Sequence, residues 1–172
     1  MKKYGTYTLL IICSSMLTAQ NLNSSTDQIE YQIGKWQDDE VQEANDGRTY
    51  QFNYELKWFD RKNTIIKMHI TGVYSDGEVR TFWEGFKYWN IVEEKFLYNG
   101  FSPDGRIASG YLKLDNKIIT THYSSNSPNG KIQIKDVANK IDNDHFTTIT
   151  YLKMPGETEW KVVNEDNWTR ID

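Results

Sequence analysis

Three histidines, His69, His122 and His145, are the residues best suited to proton transfer near neutral pH. None falls in an H-E-x-x-H pattern or at a short metal-ligand spacing. His122 sits in the run Ile118-Ile119-Thr120-Thr121-His122-Tyr123-Ser124, where alternation groups it with Ile118, Thr120 and Ser124 against Ile119, Thr121 and Tyr123. If its face lines a cavity, His122 can bind a ligand or move a proton; otherwise it is hydrogen-bonded structure or solvated surface. Asp142-Asn143-Asp144 opens like a calcium loop, but the sixth and twelfth positions hold Thr147 and Lys153 instead of Gly and Glu, so a hairpin turn is expected. Gly100-Phe101-Ser102-Pro103-Asp104-Gly105 comes near a nucleophile elbow, yet Pro103 would follow the nucleophile and has no N–H to offer an oxyanion. This segment also reads as a turn. Glu93-Glu94 and Asp38-Asp39-Glu40 are acidic clusters, and neighbouring acids on a strand point to opposite faces, so solvated charge is the expected role. The sequence therefore assigns no catalytic residue, metal ligand or cofactor.

A different chemistry is carried by aromatic side chains. Tyr54, Trp58, Trp83, Trp89, Tyr98 and Tyr111 exceed what the base of a small barrel requires, and apolar bodies with polar tips suit a pocket for an apolar or amphipathic molecule. Tyr54, Trp58, Trp83, Tyr98, Tyr111 and His122 are thus the candidate ligand-binding set. The same aromatics could instead fill an interior or cover an outer face.

The elements that must hold them are strands. Asp46-Gly47, Asp76-Gly77, Asn99-Gly100, Asp104-Gly105 and Asn129-Gly130 are dipeptides that favour tight turns, and Pro103, Pro128 and Pro155 all fall within such breaks. Between the breaks, Phe52, Tyr54, Leu56 and Trp58 alternate with polar residues, as do Ile66, Met68 and Ile70, Leu112 and Leu114, and Ile132 and Ile134. Gly72, Gly85 and Gly110 inside strand patterns predict bulges or sharp bends. Asp27 with Glu30 resembles a capping box and predicts one short helix leading into Gly34, while Asn90–Tyr98 fits helix or strand and is read as strand. The expected fold is all-β, a single antiparallel up-and-down barrel of roughly eight to ten strands with one short N-terminal helix.

The chain has 172 residues, 26% of them charged and 14% aromatic, which excludes a polytopic helical membrane protein and a disordered chain. Met1-Lys2-Lys3, the apolar run Leu9-Leu10-Ile11-Ile12 and Ala19 have the layout of an export signal cut after Ala19, so residues 1–19 are read as signal peptide and 20–172 as one barrel domain. The apolar run falls well short of the ~20 residues that span a bilayer, so no transmembrane segment is expected in the mature chain. Cleavage leaves 153 residues with a formal charge of −6 and no cysteine, which excludes disulfides and thiolate chemistry and disfavours nucleic acid as a partner. The expected location is the periplasm or the extracellular space. Lipid attachment at Cys13 is disfavoured because Leu10-Ile11-Ile12 lacks the small residue such processing prefers.

The two ends of the meander carry a further clue. Gly34-Lys35-Trp36 follows the short helix on the first strand, and Arg170 lies in Asp166-Asn167-Trp168-Thr169-Arg170 on the last. This pairing resembles the lipocalin and fatty-acid-binding (calycin) superfamily, in which a G-x-W tryptophan packs against a C-terminal arginine at the barrel base. The 20–172 segment is also similar to bacterial secreted lipocalin-like domains of unassigned function. The resemblance implies that Gly34, Trp36 and Arg170 close the barrel, and that one small molecule binds inside. The chain departs from the typical pattern in having no disulfide and no large first loop, and it has no histidine after His145 for a haem. An enzyme using His122 near Tyr54, Tyr111 or Arg80, and an envelope accessory module binding through surface aromatics, are the other readings.

Overall fold

The computed structural model describes residues 21–128 and 130–172. The segment read as an export signal, the expected cleavage after Ala19 and Cys13 lie outside the described residues. Ten strands follow a helical N-terminal segment: β1 (Gly34–Glu43), β2 (Thr49–Trp58), β3 (Ile65–Tyr74), β4 (Val79–Asn90), β5 (Lys95–Phe101), β6 (Ile107–Asp115), β7 (Ile118–Ser127), β8 (Gly130–Lys140), β9 (His145–Lys153) and β10 (Lys161–Arg170). Each pairs antiparallel with its sequence neighbours, and β1 pairs with β10 through Trp36↔Arg170, Gln37↔Thr169 and Asp38↔Trp168. The sheet is a closed barrel without a free edge.

The turn chemistry is largely as the dipeptides predict. Gly47, Gly77 and Gly105 follow Asp in their turns with φ near +81°, +87° and +88°. Asn99-Gly100 is the exception and lies inside β5. The reading of Asn90–Tyr98 as one strand is also corrected. β4 ends at Asn90, residues 91–94 turn, and β5 begins at Lys95. The Asn90 Oδ1 accepts from the Val92 and Glu93 N–H groups, and Glu94 adopts a left-handed φ of 49°. Glu93 and Glu94 therefore stand on a solvated turn, not on a strand.

The helix is longer than Asp27–Glu30 implies. Residues 21–29 are helical (α1) and pass into a 3₁₀ turn, Glu30–Gln32, so Asp27 lies inside the helix and caps nothing at its start. The glycines within strands also act differently from the expected bulges. Gly85 and Gly110 keep a continuous register, but a Cβ at either would overlap the Asn99 or His122 carbonyl of the adjoining strand. The irregular registers fall elsewhere, at Gln37/Val41, Ile70/Thr71 and Val162/Asn164.

α1 covers one end of the barrel. Asn21 bonds to Glu94 on the β4–β5 turn, Gln28 Oε1 accepts from the Asn116 N–H on the β6–β7 turn, and Glu30 accepts from the Trp58 indole at 3.1 Å. Under this lid lies a cluster of Ile29, Trp36, Leu56, Ile66, Phe96, Ile119 and Phe146, each at most 1% exposed. Trp36 meets Phe146 edge-on at 4.7 Å and donates its indole N–H to the Gln32 carbonyl at 2.9 Å. This end is a packed core.

The Arg170 guanidinium sits 4.1 Å over the Trp36 ring and donates to the carbonyls of Tyr31, Ile33 and Asn143. It thereby joins the end of the 3₁₀ turn to β10 and to the β8–β9 turn. Gly34 makes room for it: its φ is +139°, and a Cβ there would collide with the guanidinium.

Candidate functional site

Above the packed end the barrel is hollow. Inward positions of β2–β5 and β7–β10 enclose a cavity of about 550 Å³. Asn126 and Ser127 at the end of β7, with Arg106 and Pro128 on the adjoining turns, line its mouth at the end away from α1. Phe52, Ile70, Phe82, Ile132, Ile134 and Leu152 form an apolar throat. Strand alternation supplies these residues, with one local exception. The register shift opposite Ile70/Thr71 lets both Phe82 and Trp83 line the cavity.

Small residues on inward positions run across the register as Gly85↔Gly100↔Ala108↔Ser125. That strip leaves space for large side chains to lie over it. A Cβ at Gly100 would overlap the Trp83 indole nitrogen and the Tyr98 hydroxyl, and these two groups hydrogen-bond directly above it. Trp83 and Tyr98 are thus fixed as a paired wall of the cavity.

Polar groups gather toward the helix-covered end. Lys87 is 3% exposed and donates to the Gln32 Oε1 at 3.1 Å, with its ammonium 5.9 Å from the Tyr54 ring. Burial pushes its pKa down to about 8, against the opposing pull of Asp136. Asp136 accepts from the Thr150 hydroxyl at 2.9 Å. Burial raises its pKa, while hydrogen bonds from Thr150 and Tyr123 and the charge of Lys87 oppose the shift. Asp166 accepts from the Asn164 amide at 2.6 Å, and burial with the nearby charge of Asp38 raises its pKa to about 6. Asp38 is fully buried on the inner side of β1; burial raises its pKa too, and its Oδ2 has no partner among the described residues. The Trp168 indole N–H, on the cavity wall, is likewise unpartnered.

Of the six candidate ligand-binding residues, Tyr54, Trp83 and Tyr98 line the cavity. Trp58, Tyr111 and His122 do not. Trp58 closes the end of β2 against Glu30 of the 3₁₀ turn. Tyr111 and His122 are cross-strand partners on the outer face, where their rings stack at 5.2 Å. Alternation from the buried Leu112 and Thr121 fixes that orientation. The pKa of His122 is lowered by partial burial and by Lys113 and Lys135, all outside the barrel. The proposed acid–base role beside Tyr54 therefore loses its geometry.

The residues missed from the sequence are Gln32, Lys87, Asp136, Tyr123 and Asp166. Alternation could have found most of them. Asp136 shares the parity of Ile132 and Ile134, Lys87 that of Trp83 and Trp89, and Asp166 that of Trp168 and Arg170.

Among the described residues no helix is long and apolar enough to cross a membrane, and no group of His, Cys, Asp or Glu is arranged to hold a metal ion. No family model and no curated protein matches the chain. Among solved structures it is similar to a de novo designed fluorescence-activating β-barrel, at 20% identity over 66% of this chain and 98% of that one, with a TM-score of 0.42. A redesigned barrel, mFAP0, bound to DFHBI is 18% identical over 64% of this chain and 99% of that one, with a TM-score of 0.41.

Proposed function

We propose that this chain is an exported lipocalin-like barrel that carries one hydrophobic or amphipathic small molecule in its interior, working in the periplasm or outside the cell. The cavity is the observation that carries this reading. Its volume of about 550 Å³ lies within the ~300–1,000 Å³ of small-molecule sites. It is closed at one end by α1 and lined mainly by apolar side chains, with a few polar groups gathered near its floor. A packed barrel would offer no such volume. An amphipathic ligand entering between Arg106 and Ser127 would bury its chain against Phe52, Ile70 and Ile134, with its polar end at the floor.

Titration with an environment-sensitive, uncharged apolar fluorescent probe tests the reading directly. The expected result is saturable, one-to-one fluorescence enhancement that is lost in a variant whose throat is filled, such as Ile134→Trp. An unfilled wild-type protein that gives no enhancement with any apolar probe would refute it.

A further inference from the structure

The floor of the cavity holds more acidic side chains than basic ones. Three carboxylates, Asp38, Asp136 and Asp166, face the barrel interior from β1, β8 and β10. Among the described residues one ammonium stands against them, Lys87, which already donates to Gln32 and does not line the cavity. Arg106 lines the cavity only at the mouth, where its side chain pairs with Asp104 at 2.8 Å. Among the described residues none of the three interior acids forms an ion pair within 4 Å; their partners are the hydroxyls of Thr150 and Tyr123, the amide of Asn164 and backbone N–H groups.

Two further atoms are buried and unsatisfied beside this floor. The Oδ2 of Asp38, on a residue with no solvent exposure, and the indole N–H of Trp168, on a residue 6% exposed, have no partners among the described residues, and Asp38 and Trp168 are cross-strand neighbours. Leaving such groups unpaired is costly, and of the two it is the Trp168 N–H that lies on the cavity wall, where an acceptor atom could reach it.

Resting on the carrier reading, we propose that the occupant is an amphipathic amine. Its protonated nitrogen would lie on the floor within reach of Asp136 and Asp166, its alkyl or aryl body in the throat formed by Phe52, Ile70 and Ile134, and a neighbouring acceptor atom toward the Trp168 N–H. A cationic head lowers the net interior charge, whereas a carboxylate head of the same length would add a fourth acid to it. Lys87 cannot reverse this preference while Gln32 holds it below the floor. Aromatic faces assist: Tyr54, Tyr98 and Trp83 border the same space and attract a cation through their rings.

Three probes of one chain length separate the possibilities: dodecylamine, dodecanol and dodecanoate, each competing with a fluorescent apolar reporter at pH 8. The expected result is displacement by the amine at a concentration at least tenfold below that of dodecanoate. In the Asp136→Asn variant, and independently in Asp166→Asn, the preference should fall severalfold while dodecanol displaces as before. Equal or stronger displacement by dodecanoate overturns the amine assignment and leaves the carrier reading standing. Failure of all three to displace, together with failure of the reporter to bind, overturns the carrier reading itself. A preference that survives in both variants also overturns the assignment, because the acids named here would then not set it.

Discussion

Replacing Lys87 with Met removes an ammonium from the helix-covered end of the barrel without removing its apolar stem. Lys87 has a pKa near 8 in the folded protein because burial disfavours its charge, whereas an unfolded lysine titrates near 10.4. The folded chain then binds fewer protons than the unfolded chain between those values, so stability rises with pH across that window. At pH 7 the lysine is charged in both states and carries its full desolvation cost. By pH 9.5 it is neutral in the folded state and still mostly charged in the unfolded one. The two pKa values give a wild-type gain of about 2 kcal/mol between pH 7 and pH 9.5 that Lys87→Met lacks. Tyrosine titration affects both proteins alike and cancels in the difference. Urea unfolding of both proteins at the two pH values measures it. An Asp136→Asn background strips Lys87 of its one attractive charge, so its pKa should fall further and the gain should widen. Parallel pH profiles for wild type and Lys87→Met would refute the argument and mean that water reaches the ammonium.

Four other outcomes are expected. Asp166→Asn should stabilise the protein by about 1 kcal/mol at pH 7, a figure discounted for the water that reaches it, because its folded pKa of about 6 exceeds the unfolded value. That gain should vanish as pH falls through 6 to below 4, which chemical denaturation at pH 7 and pH 3.5 will show. Arg170→Lys keeps the charge but cannot reach the carbonyls of Tyr31, Ile33 and Asn143 together, so it should cost about 2 kcal/mol in the same assay. Trp36→Ala leaves a hole in the packed end and should cost about 3–5 kcal/mol, seen as a lowered Tm. Tyr111→Ala and His122→Ala, on the outer face, should leave reporter affinity within twofold of wild type by fluorescence titration.

Alternation and turn dipeptides were enough to show the antiparallel meander, with closure resting on Trp36 and Arg170, because each inward side chain in a half-buried strand is marked by the polar residues beside it. The pattern failed where that contrast disappears. In Asn90–Tyr98 the apolar Ile91 and Val92 sit at an exposed turn, so they extend the strand pattern past its true end. In α1 the first turn precedes any apolar periodicity, and Asp27 with Glu30 imitates a start that lies further upstream. The candidate site was half legible for a related reason. Tyr54, Trp83 and Tyr98 were selected as aromatics, a type that also decorates outer faces, and residue type alone could not separate them from Tyr111. Parity relative to a residue of known burial does separate them. The same rule exposes Lys87, Asp136 and Asp166, which a search by residue type passed over.

The hollow and its charged floor follow from one choice of geometry. Eight strands enclose an interior that side chains just fill, and ten strands enclose more. The strip of small residues from Gly85 to Ser125 widens the gap further on the β4–β7 side. At the other end α1 and its 3₁₀ turn supply the missing volume, with Ile29 and Gln32 standing in for core residues that the strands do not provide. Where that plug stops, the barrel must either hold solvent or hold a ligand. Carboxylates such as Asp136 and Asp166 are tolerable there only because the space beside them can contain something polar. In a dry, filled barrel the same acids would cost several kcal/mol each. The buried acids and the cavity are thus interdependent. A variant that fills the throat with a large apolar side chain should drive the pKa of Asp166 above 6, and carbon-13 NMR titration of its carboxyl would show this. An unchanged pKa would mean that the carboxylate is hydrated by a route other than the cavity, and the floor would then lose its claim as the site of ligand recognition.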